Sequence, residues 1–288
     1  MDSVSRIEHA LNFAMARADF PECPPLLAAA MRSAVFPKGA RVRPRISLAV
    51  AAACGEDDPT IADSAAASIE LLHCASLVHD DLPCFDNAAT RRGLPSVHAA
   101  FGEPLALLAG DALIVLAFQN LARVAHAPQR LATLLMLIGR AVGVPNGIAA
   151  GQAWECEPKV NVAQYHRAKT GALFGAATAV GAAATGADPD SWRLLGERLG
   201  EAYQVADDIC DAVGNPDDAG KPVGRDIALG RPSATREFGV PGAVKLLEQL
   251  VAEGIASIPA VPGATALRSL IMLEAKRLVP KELAQSAA

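Results

Sequence analysis

The stretch "IADSAAASIELLHCASLVHDDLPCFD", Ile61 to Asp86, decides the fold that this sequence can adopt. Its first part is rich in alanine and leucine with little β-branched alternation, which favours a buried α-helix from Ile61 to Leu82. Three carboxylates, Asp80, Asp81 and Asp86, then fall within seven residues. An unpaired charge beside a dry helical core is costly, so these carboxylates are expected to hold something.

The rest of the chain has a similar composition. It has 288 residues, of which 51% are hydrophobic, 4% aromatic and only 20% charged. Turn signals rich in Gly and Pro separate helical stretches of roughly 10 to 25 residues, and no low-complexity linker divides them. The other long helices are predicted at Pro104 to Ala125, Gln129 to Val144, Thr170 to Thr185 and Pro189 to Val213, the last with Asp188 as its N-cap. We therefore expect one all-α domain over residues 1–288, in which only the polar segment Gly214 to Arg231 resists a helix assignment.

Composition also limits the class of function. The net charge of −5 gives no reason to expect nucleic-acid binding. The most apolar stretch, "EPLALLAGDALIVLAF", is interrupted by Asp111, so no transmembrane segment of about 20 apolar residues is predicted. Early charged residues argue against a signal peptide. Six cysteines without CxxC spacing predict buried thiols in a reducing compartment, so we expect a cytoplasmic protein.

A second acidic cluster lies in "YQVADDICDAVG", which contains Asp207, Asp208 and Asp211. Asp207 and Asp211 are four residues apart, so on a helix they share one face, about 5.4 Å from each other. Like charges at that spacing repel, and Mg²⁺ bound by a few carboxylates plus water or substrate phosphates is a natural compensation. One such cluster would more often be a solvated acidic face. Two clusters at the ends of long apolar helices favour a metal site.

The first cluster needs a turn before its members can meet. On an unbroken helix Asp80 and Asp86 would lie about 9 Å apart along the axis and point roughly 120° apart. Pro83 disfavours that continuous helix. If the helix ends near Leu82 and the chain curls back, Asp86 can approach Asp80. The spacing does not match an EF-hand.

Basic residues follow both clusters. Arg91 and Arg92 come after the first, and Lys221, Arg225 and Arg231 come after the second. Carboxylates alone indicate a metal, whereas carboxylates with converging cations indicate a metal together with a polyanion such as a diphosphate.

These motifs, in this order, resemble those of the trans-isoprenyl diphosphate synthases, which join isopentenyl diphosphate to an allylic diphosphate. The resemblance covers nearly the whole chain through "DDLPCFD" with "RRG" behind it, "GQAWE", "KTG", "DDICD", "GKPVGRD" and "GRPSAT". The details "HDDLPCFDNA", "GARVRP" and "GRPSAT" are similar to bacterial geranylgeranyl diphosphate synthases of carotenoid and bacteriochlorophyll synthesis. The resemblance implies a helical bundle of the isoprenoid-synthase type around a central cavity, and a homodimer.

The resemblance also implies roles for individual residues. The implied ligands for about three Mg²⁺ ions are Asp80, Asp81, Asp86, Asp207 and Asp211, with Asp208 in support. The implied cations for the allylic diphosphate are Arg91, Lys169, Lys221 and Arg231. Isopentenyl diphosphate would bind without metal on Arg43, His73 and Arg92. Lys169, Thr170 and Gln204 would line the cavity and steady the allylic cation.

Two departures from the family pattern affect these roles. In "KGARVRP" the family commonly has a lysine where Ala40 stands, and Lys38 or Arg41 is a candidate substitute. In "GQAWE" Glu155 replaces the usual aspartate and keeps its charge. His79 lies beside the aspartates but is expected to point elsewhere and to be structural.

Product length is expected to depend on the residues before Asp80. A tail running along the helix toward its N-terminus passes Ser76 and Ala75, both small, before it meets Leu71 and Leu72. One isoprene unit is about as long as one helical turn. Relatives that stop at fifteen carbons often have an aromatic ring at this position, so we expect a C20 product, geranylgeranyl diphosphate.

Three alternatives stand beside this expectation. The product could instead be farnesyl diphosphate, which has fifteen carbons. A class I terpene cyclase would share the fold, but "DDICD", Arg43 and His73 argue against it. A non-catalytic partner subunit often lacks one aspartate motif, whereas both are intact here.

Overall fold

The computed structural model describes residues 2–36, 39–159, 164–165, 167–213 and 233–276. The α-helices with bounds in these ranges are α1 Ser3–Met15, α2 Pro25–Val35, α3 Val42–Ala53, α4 Pro59–Asp80, α5 Val97–Phe101, α6 Glu103–Leu121, α7 Pro128–Val142, α8 Ile148–Ala153, α9 Ala172–Ala184, α10 Arg193–Val213, α11 Ala234–Ala256 and α12 Ala264–Lys276. The strands in the same ranges, β1 Thr90–Arg91 and β2 Leu94–Pro95, pair as one antiparallel hairpin. The expected all-α fold class is confirmed.

Helix α4 lies at the centre of the bundle. The Asp58 carboxylate caps its N-terminus by accepting a hydrogen bond from the Thr60 amide at 2.9 Å, and Pro59 occupies the first turn. Helices α1, α2, α3, α6 and α9 pack around it. Nearly every side of α4 is buried, and the buried residues include the polar Ser68 and Glu70. A helix buried all round needs small or apolar residues on every face, which agrees with the alanine-rich sequence of α4. Asp80 is the last residue of α4 and lies at the edge of the core.

Small residues let the helices behind α4 approach closely. At Gly196 on α10, a Cβ atom would lie 2.4 Å from the Phe174 carbonyl oxygen of α9. Only glycine permits that approach, so α9 and α10 meet backbone to backbone. The alanine- and glycine-rich composition therefore sets the spacing of the helices that surround the candidate site.

The predicted helix bounds lie within two residues of the observed ones for α4, α7 and α9. Helix α6 ends at Leu121 rather than Ala125, and a 3₁₀ turn continues the chain. Helix α10 begins at Arg193 rather than Pro189, because a 3₁₀ turn, Asp190–Trp192, precedes it. Asp188 is therefore not the N-cap of α10, although its Oδ1 accepts a hydrogen bond from the Asp190 amide at 3.2 Å. A π-helical turn, Arg167–Gly171, precedes α9. The segment Gly214 to Arg231 lies outside the described residues.

Two described segments, α4 and Glu103–Val124, are long and apolar enough to cross a membrane by length and composition alone. Most of the apolar window of α4 is buried within the fold, which is typical of a core helix, whereas less than half of the α6 window is buried. All six cysteines have free thiols, but the expectation that they are buried holds only for Cys74: Cys23, Cys54 and Cys210 are half-buried, and Cys84 and Cys156 are exposed.

Candidate active site

The first acidic motif forms a turn at the end of α4. The Asp86 amide donates to the Asp80 carbonyl oxygen at 2.9 Å, and the Ala88 amide donates to the Asp81 carbonyl oxygen at 3.1 Å. The chain therefore curls back after Pro83, as the sequence predicted. The turn brings Asp86 close enough for its charge to act on the Asp80 carboxyl group.

The Asp80 carboxylate contacts side chains from two other parts of the chain. Its Oδ1 accepts a hydrogen bond from Gln152 Nε2 at 2.9 Å and lies 3.6 Å from Lys169 Nζ. Burial raises the pKa of Asp80 above its ordinary 3.8, and the charges of Glu155 and Asp86 add to this rise. Lys169 and Gln152 oppose the rise without cancelling it. The fold thus holds negative charge here that its own cations do not fully compensate.

Lys169 lies in the π-helical turn and faces this carboxylate. Its Nζ donates to Glu155 Oε1 at 2.6 Å, and the Tyr165 hydroxyl donates to the same oxygen at 2.6 Å. Burial alone would lower the pKa of Lys169, but the charges of Asp80, Tyr165 and Glu155 outweigh burial and raise the pKa. Lys169 is therefore cationic at neutral pH. π-helical turns are frequent at functional sites.

Sequence reasoning missed one residue that contacts this carboxylate. Gln152 Nε2 donates both to Asp80 Oδ1 and to the Ser76 carbonyl oxygen, the latter at 3.1 Å. The signal was present in "GQAWE", where only the glutamate was considered.

Helix α8 and the π-helical turn touch at Gly151. A Cβ atom there would lie 2.5 Å from the Lys169 amide nitrogen and 2.6 Å from its Cα. We expect Gly151→Ala to displace Lys169 and lower turnover by about tenfold to a hundredfold, since small misplacements of site groups have effects of this size. The matched control is Gly139→Ala on α7, where nothing lies within 4 Å.

The control has its own expected result. Gly139→Ala should leave turnover unchanged and stabilise the fold by about 0.5 to 1 kcal/mol. Steady-state rates and thermal melts of the two variants measure both effects. Equal turnover in the two alanine variants would contradict the role given to the Gly151 contact.

Asp81 and Arg91 form an ion pair. Arg91 Nε lies 3.1 and 3.2 Å from the two Asp81 carboxylate oxygens, and Arg91 Nη2 also donates to Asp81 Oδ1. The sequence placed these residues in separate roles, one as a metal ligand and the other on a diphosphate. The structure instead brings them together, with the Asp81 side chain almost fully buried.

The three residues predicted to bind isopentenyl diphosphate, Arg43, His73 and Arg92, lie near one another. Arg43 Nη1 lies 3.2 Å from His73 Nε2, and the Arg43 guanidinium stacks 4.5 Å from the Phe174 ring centroid. Arg92 adopts a positive φ of 53° and its guanidinium packs against Gly39. After burial, which is the largest cause, the charge of Arg92 helps to lower the pKa of both Arg43 and His73. The three side chains are therefore neighbours.

The protonation state of His73 is compatible with anion binding by this cluster. Burial, followed by the charges of Arg43 and Arg92, holds the pKa of His73 well below 6.5, so the imidazole is neutral. A neutral ring can accept the Arg43 hydrogen bond at one nitrogen and donate from the other. Within the described part of the chain, the buried Nε of Arg43 has no hydrogen-bond partner. Arg43 therefore keeps one N–H donor, at Nε, that no group in the described part of the chain uses.

Arg41 cannot replace the missing lysine at position 40, and that alternative is wrong. Its side chain is only 2% exposed and donates to Glu8 at 2.9 Å, Glu70 at 2.8 Å and the Val35 carbonyl oxygen at 2.7 Å. Arg41 thus ties α1 and α4 together. The other candidate, Lys38, lies outside the described residues.

Two neighbouring residues are also structural. Arg45 Nη2 donates to Glu274 at 2.7 Å, so Arg45 links α3 to α12. His79 packs against α6, where its Nε2 lies 3.3 Å from the Leu107 carbonyl oxygen. The expectation that His79 points away from the site is confirmed.

The second acidic motif lies near the C-terminal end of α10. Asp207 is exposed and Asp211 half-buried, whereas Asp208 is buried. The predicted cavity residues Thr170 and Gln204 meet here, with Thr170 Oγ1 2.9 Å from Gln204 Oε1. Lys221, Arg225 and Arg231 were also predicted near this site, and they lie outside the described residues.

The carboxylates fit Mg²⁺ as partial ligands. No group of three or more His, Cys, Asp and Glu side chains in the described ranges forms a ready metal site. Mg²⁺ does not require one, because it keeps several waters and uses one or two carboxylates plus substrate phosphates. Asp80 and Asp86 supply such oxygens, and the raised pKa of Asp80 marks negative charge that a cation would compensate.

Comparisons with known proteins agree with the fold and the motifs. Residues 24–252 match the family model described as polyprenyl synthetase. The chain is 51% identical over 280 residues to the geranylgeranyl diphosphate synthase of Cereibacter sphaeroides, covering 97% of each chain. It is 52% identical over 275 residues to the enzyme of the same name from Rhodobacter capsulatus, covering 95% of each. A solved geranyltransferase from Helicobacter pylori, complexed with magnesium and isoprenyl diphosphate, superposes with a TM-score of 0.79 at 28% identity, covering 96% of this chain and 98% of the other.

Proposed function

This chain belongs to the polyprenyl synthetase family, and we propose that it joins isopentenyl diphosphate to an allylic diphosphate and makes geranylgeranyl diphosphate. One observation carries the proposal. The proposed anion-binding cluster of Arg43, His73 and Arg92 lies near the acidic turn, because His73 and Asp80 are two helical turns apart on one face of α4. One end suits a diphosphate held by cations alone, and the other suits a diphosphate held through metal. The names of the similar relatives support this reading.

Mg²⁺ is the proposed cofactor, and the family resemblance suggests about three ions per site. When bound, it would neutralise the allylic diphosphate and make it a better leaving group. The proposed ligand positions are Asp80, Asp81, Asp86, Asp207 and Asp211. Asp81 also holds Arg91 by its ion pair, so any role it has toward metal is shared with that contact.

The side chains then have distinct tasks in the reaction. Lys169 adds a fixed positive charge beside Asp80, where the allylic diphosphate departs. The allylic C–O bond breaks, the isopentenyl double bond attacks the cationic carbon, and the proton lost afterwards goes to the released diphosphate. No protein base is needed for that proton. The protein positions both substrates, stabilises charge and excludes water from the cation.

Arg43 is expected to act on one substrate only. Arg43→Gln should raise the KM for isopentenyl diphosphate by about tenfold to a hundredfold, the range expected for a lost charged hydrogen bond. The KM for the allylic substrate should change little. Arg45→Gln is the matched control, because its guanidinium bonds Glu274 instead. Initial rates with each substrate varied in turn test this, and an equal rise in both KM values would count against it.

Diphosphate release with and without isopentenyl diphosphate distinguishes a prenyl-transferring synthase from a terpene cyclase and from a non-catalytic partner subunit. We expect the purified chain with Mg²⁺ and geranyl diphosphate to release diphosphate only when isopentenyl diphosphate is present. Release from the allylic substrate alone would indicate a terpene cyclase. No release under either condition would indicate a partner subunit.

The outward face of α6 supports a homodimer. Leu107, Leu108 and Val115 are exposed there, and Asp111 lies among them. A charged residue within a lipid-facing helix is costly, so a second copy of the chain suits this face better than a membrane does. Sedimentation should give about twice the 29.7 kDa chain mass. A monomer, or a protein that binds lipid vesicles through α6, would contradict this assignment.

A further inference from the structure

Asp208 is the buried carboxylate of the second acidic motif, whereas Asp207 is exposed and Asp211 half-buried. Asp208 is only 3% exposed. Oδ1 accepts a hydrogen bond from Gln204 Nε2 at 3.0 Å, and Oδ2 accepts one from the backbone amide of Ala234 at 2.8 Å. Ala234 is the first residue of α11. Both oxygens of Asp208 therefore serve protein donors.

These contacts fix the orientation of the Gln204 amide. Because Asp208 accepts at both oxygens, Gln204 must present its NH₂ group to Asp208 and its oxygen to Thr170. Thr170 Oγ1 lies 2.9 Å from that amide oxygen, which carries no proton. Thr170 must therefore donate its only hydroxyl proton to Gln204. Any other group that meets the Thr170 oxygen encounters lone pairs.

The location of Thr170 makes that orientation consequential. It follows Lys169 in the π-helical turn, and Lys169 Nζ lies 3.6 Å from Asp80 Oδ1. Dipoles that are fixed in advance at a developing charge stabilise it without reorganisation. A hydroxyl whose lone pairs face the developing allylic cation lowers the barrier, whereas one whose proton faces it raises the barrier.

We propose that Asp208 is a positioning residue for ionisation: through Gln204 it holds the Thr170 hydroxyl with its lone pairs available to the allylic cation, and it does not bind magnesium. This inference rests on the proposed prenyl-transfer function. It separates Asp208 from Asp207 and Asp211, whose proposed role is toward the metal.

The first test is Asp208→Asn. Asparagine keeps one oxygen for the Ala234 amide and turns an NH₂ group toward Gln204. Gln204 then flips its amide, donates to Thr170 and releases the hydroxyl proton. We expect the single-turnover rate to fall about tenfold to a hundredfold. The KM of both substrates and the half-saturating Mg²⁺ concentration should stay within about threefold of wild type.

The second test restores the hydrogen bonds from position 208 through position 204 to Thr170, but moves the negative charge from position 208 to position 204. In the double variant with Gln204→Glu and Asp208→Asn, the carboxylate introduced at position 204 accepts both from the amide introduced at position 208 and from Thr170. The double variant should recover the single-turnover rate to within about fivefold of wild type. Hydrogen exchange at the Ala234 amide in the metal-free protein should match wild type in both variants, because the capping oxygen remains.

Several results would overturn the proposal. They are a wild-type rate for Asp208→Asn, failure of Gln204→Glu to rescue it, a raised Mg²⁺ requirement, or fast exchange at the Ala234 amide. If the wild-type chain itself does not condense the two substrates, the proposed function fails, and that result is distinct from any of these.

Discussion

Asp80→Asn is expected to lower turnover about a thousandfold or more, because it removes the carboxylate on which the acidic turn converges. Asparagine keeps an oxygen for the Gln152 hydrogen bond, so the local geometry should survive. The attraction to Lys169, 3.6 Å away, and the proposed metal ligand are both lost. Steady-state rates at saturating Mg²⁺ measure the effect.

The same variant should be more stable than wild type in the absence of metal. The pKa of Asp80 is raised above 3.8 by burial, so the folded state holds the proton more tightly than the unfolded chain does. Stability that is present below pH 3.8 is therefore lost as the pH rises through the raised pKa. At neutral pH the ionised carboxylate destabilises the fold, and asparagine removes that cost.

Thermal melts with and without Mg²⁺ test this reasoning. Wild type should melt at a higher temperature when Mg²⁺ is added, whereas Asp80→Asn should melt higher without metal and gain little from it. The matched control is Asp190→Asn before α10, a largely exposed carboxylate 3.8 Å from Arg193 Nη1, which should behave as wild type. If Asp80→Asn retained more than about a tenth of the wild-type rate, the site would be wrongly placed.

Ala75→Tyr is expected to change the main product from twenty carbons to fifteen. Ala75 is 1% exposed, and Leu71 and Leu72 lie one turn deeper along α4. An aromatic ring at position 75 would close the path that the tail takes along the helix. Chromatography of the products measures the shift, and elongation to fifteen carbons should proceed at a rate within about fivefold of wild type.

Two further variants keep this prediction decisive. Ser76→Phe places the ring at a half-buried neighbour, in case the buried substitution prevents folding. Leu77→Phe is the control, because it lies about 200° around the helix from Ala75 and should leave chain length unchanged. If folded Ala75→Tyr still made the C20 product, the tail would not follow this face of α4.

Features that depend on local chemistry could be predicted from the sequence. Pro83 cannot continue a helix, so the turn that brings Asp86 toward Asp80 follows from a few adjacent residues. The four-residue spacing of Asp207 and Asp211 likewise fixes their shared face once α10 is helical. These features needed no knowledge of distant parts of the chain.

Features that depend on tertiary packing could not be predicted. Gln152 reaches Asp80 across 72 positions in the sequence, and only the packing of α8 near α4 makes that contact. Arg41 and Arg43 occupy similar sequence environments, yet Arg41 is buried on Glu70 while Arg43 faces His73. Which arginine remains available for an anion is decided by whether carboxylates already bind its guanidinium, as Glu8 and Glu70 do for Arg41.

The central claim is tested most directly by the products formed from dimethylallyl diphosphate, excess isopentenyl diphosphate and Mg²⁺. We predict that the purified chain accumulates geranylgeranyl diphosphate and releases one diphosphate for each isopentenyl diphosphate consumed. Without Mg²⁺, no product should form. A reaction that stops at fifteen carbons would contradict the proposed product length, and the absence of any condensation would contradict the account as a whole.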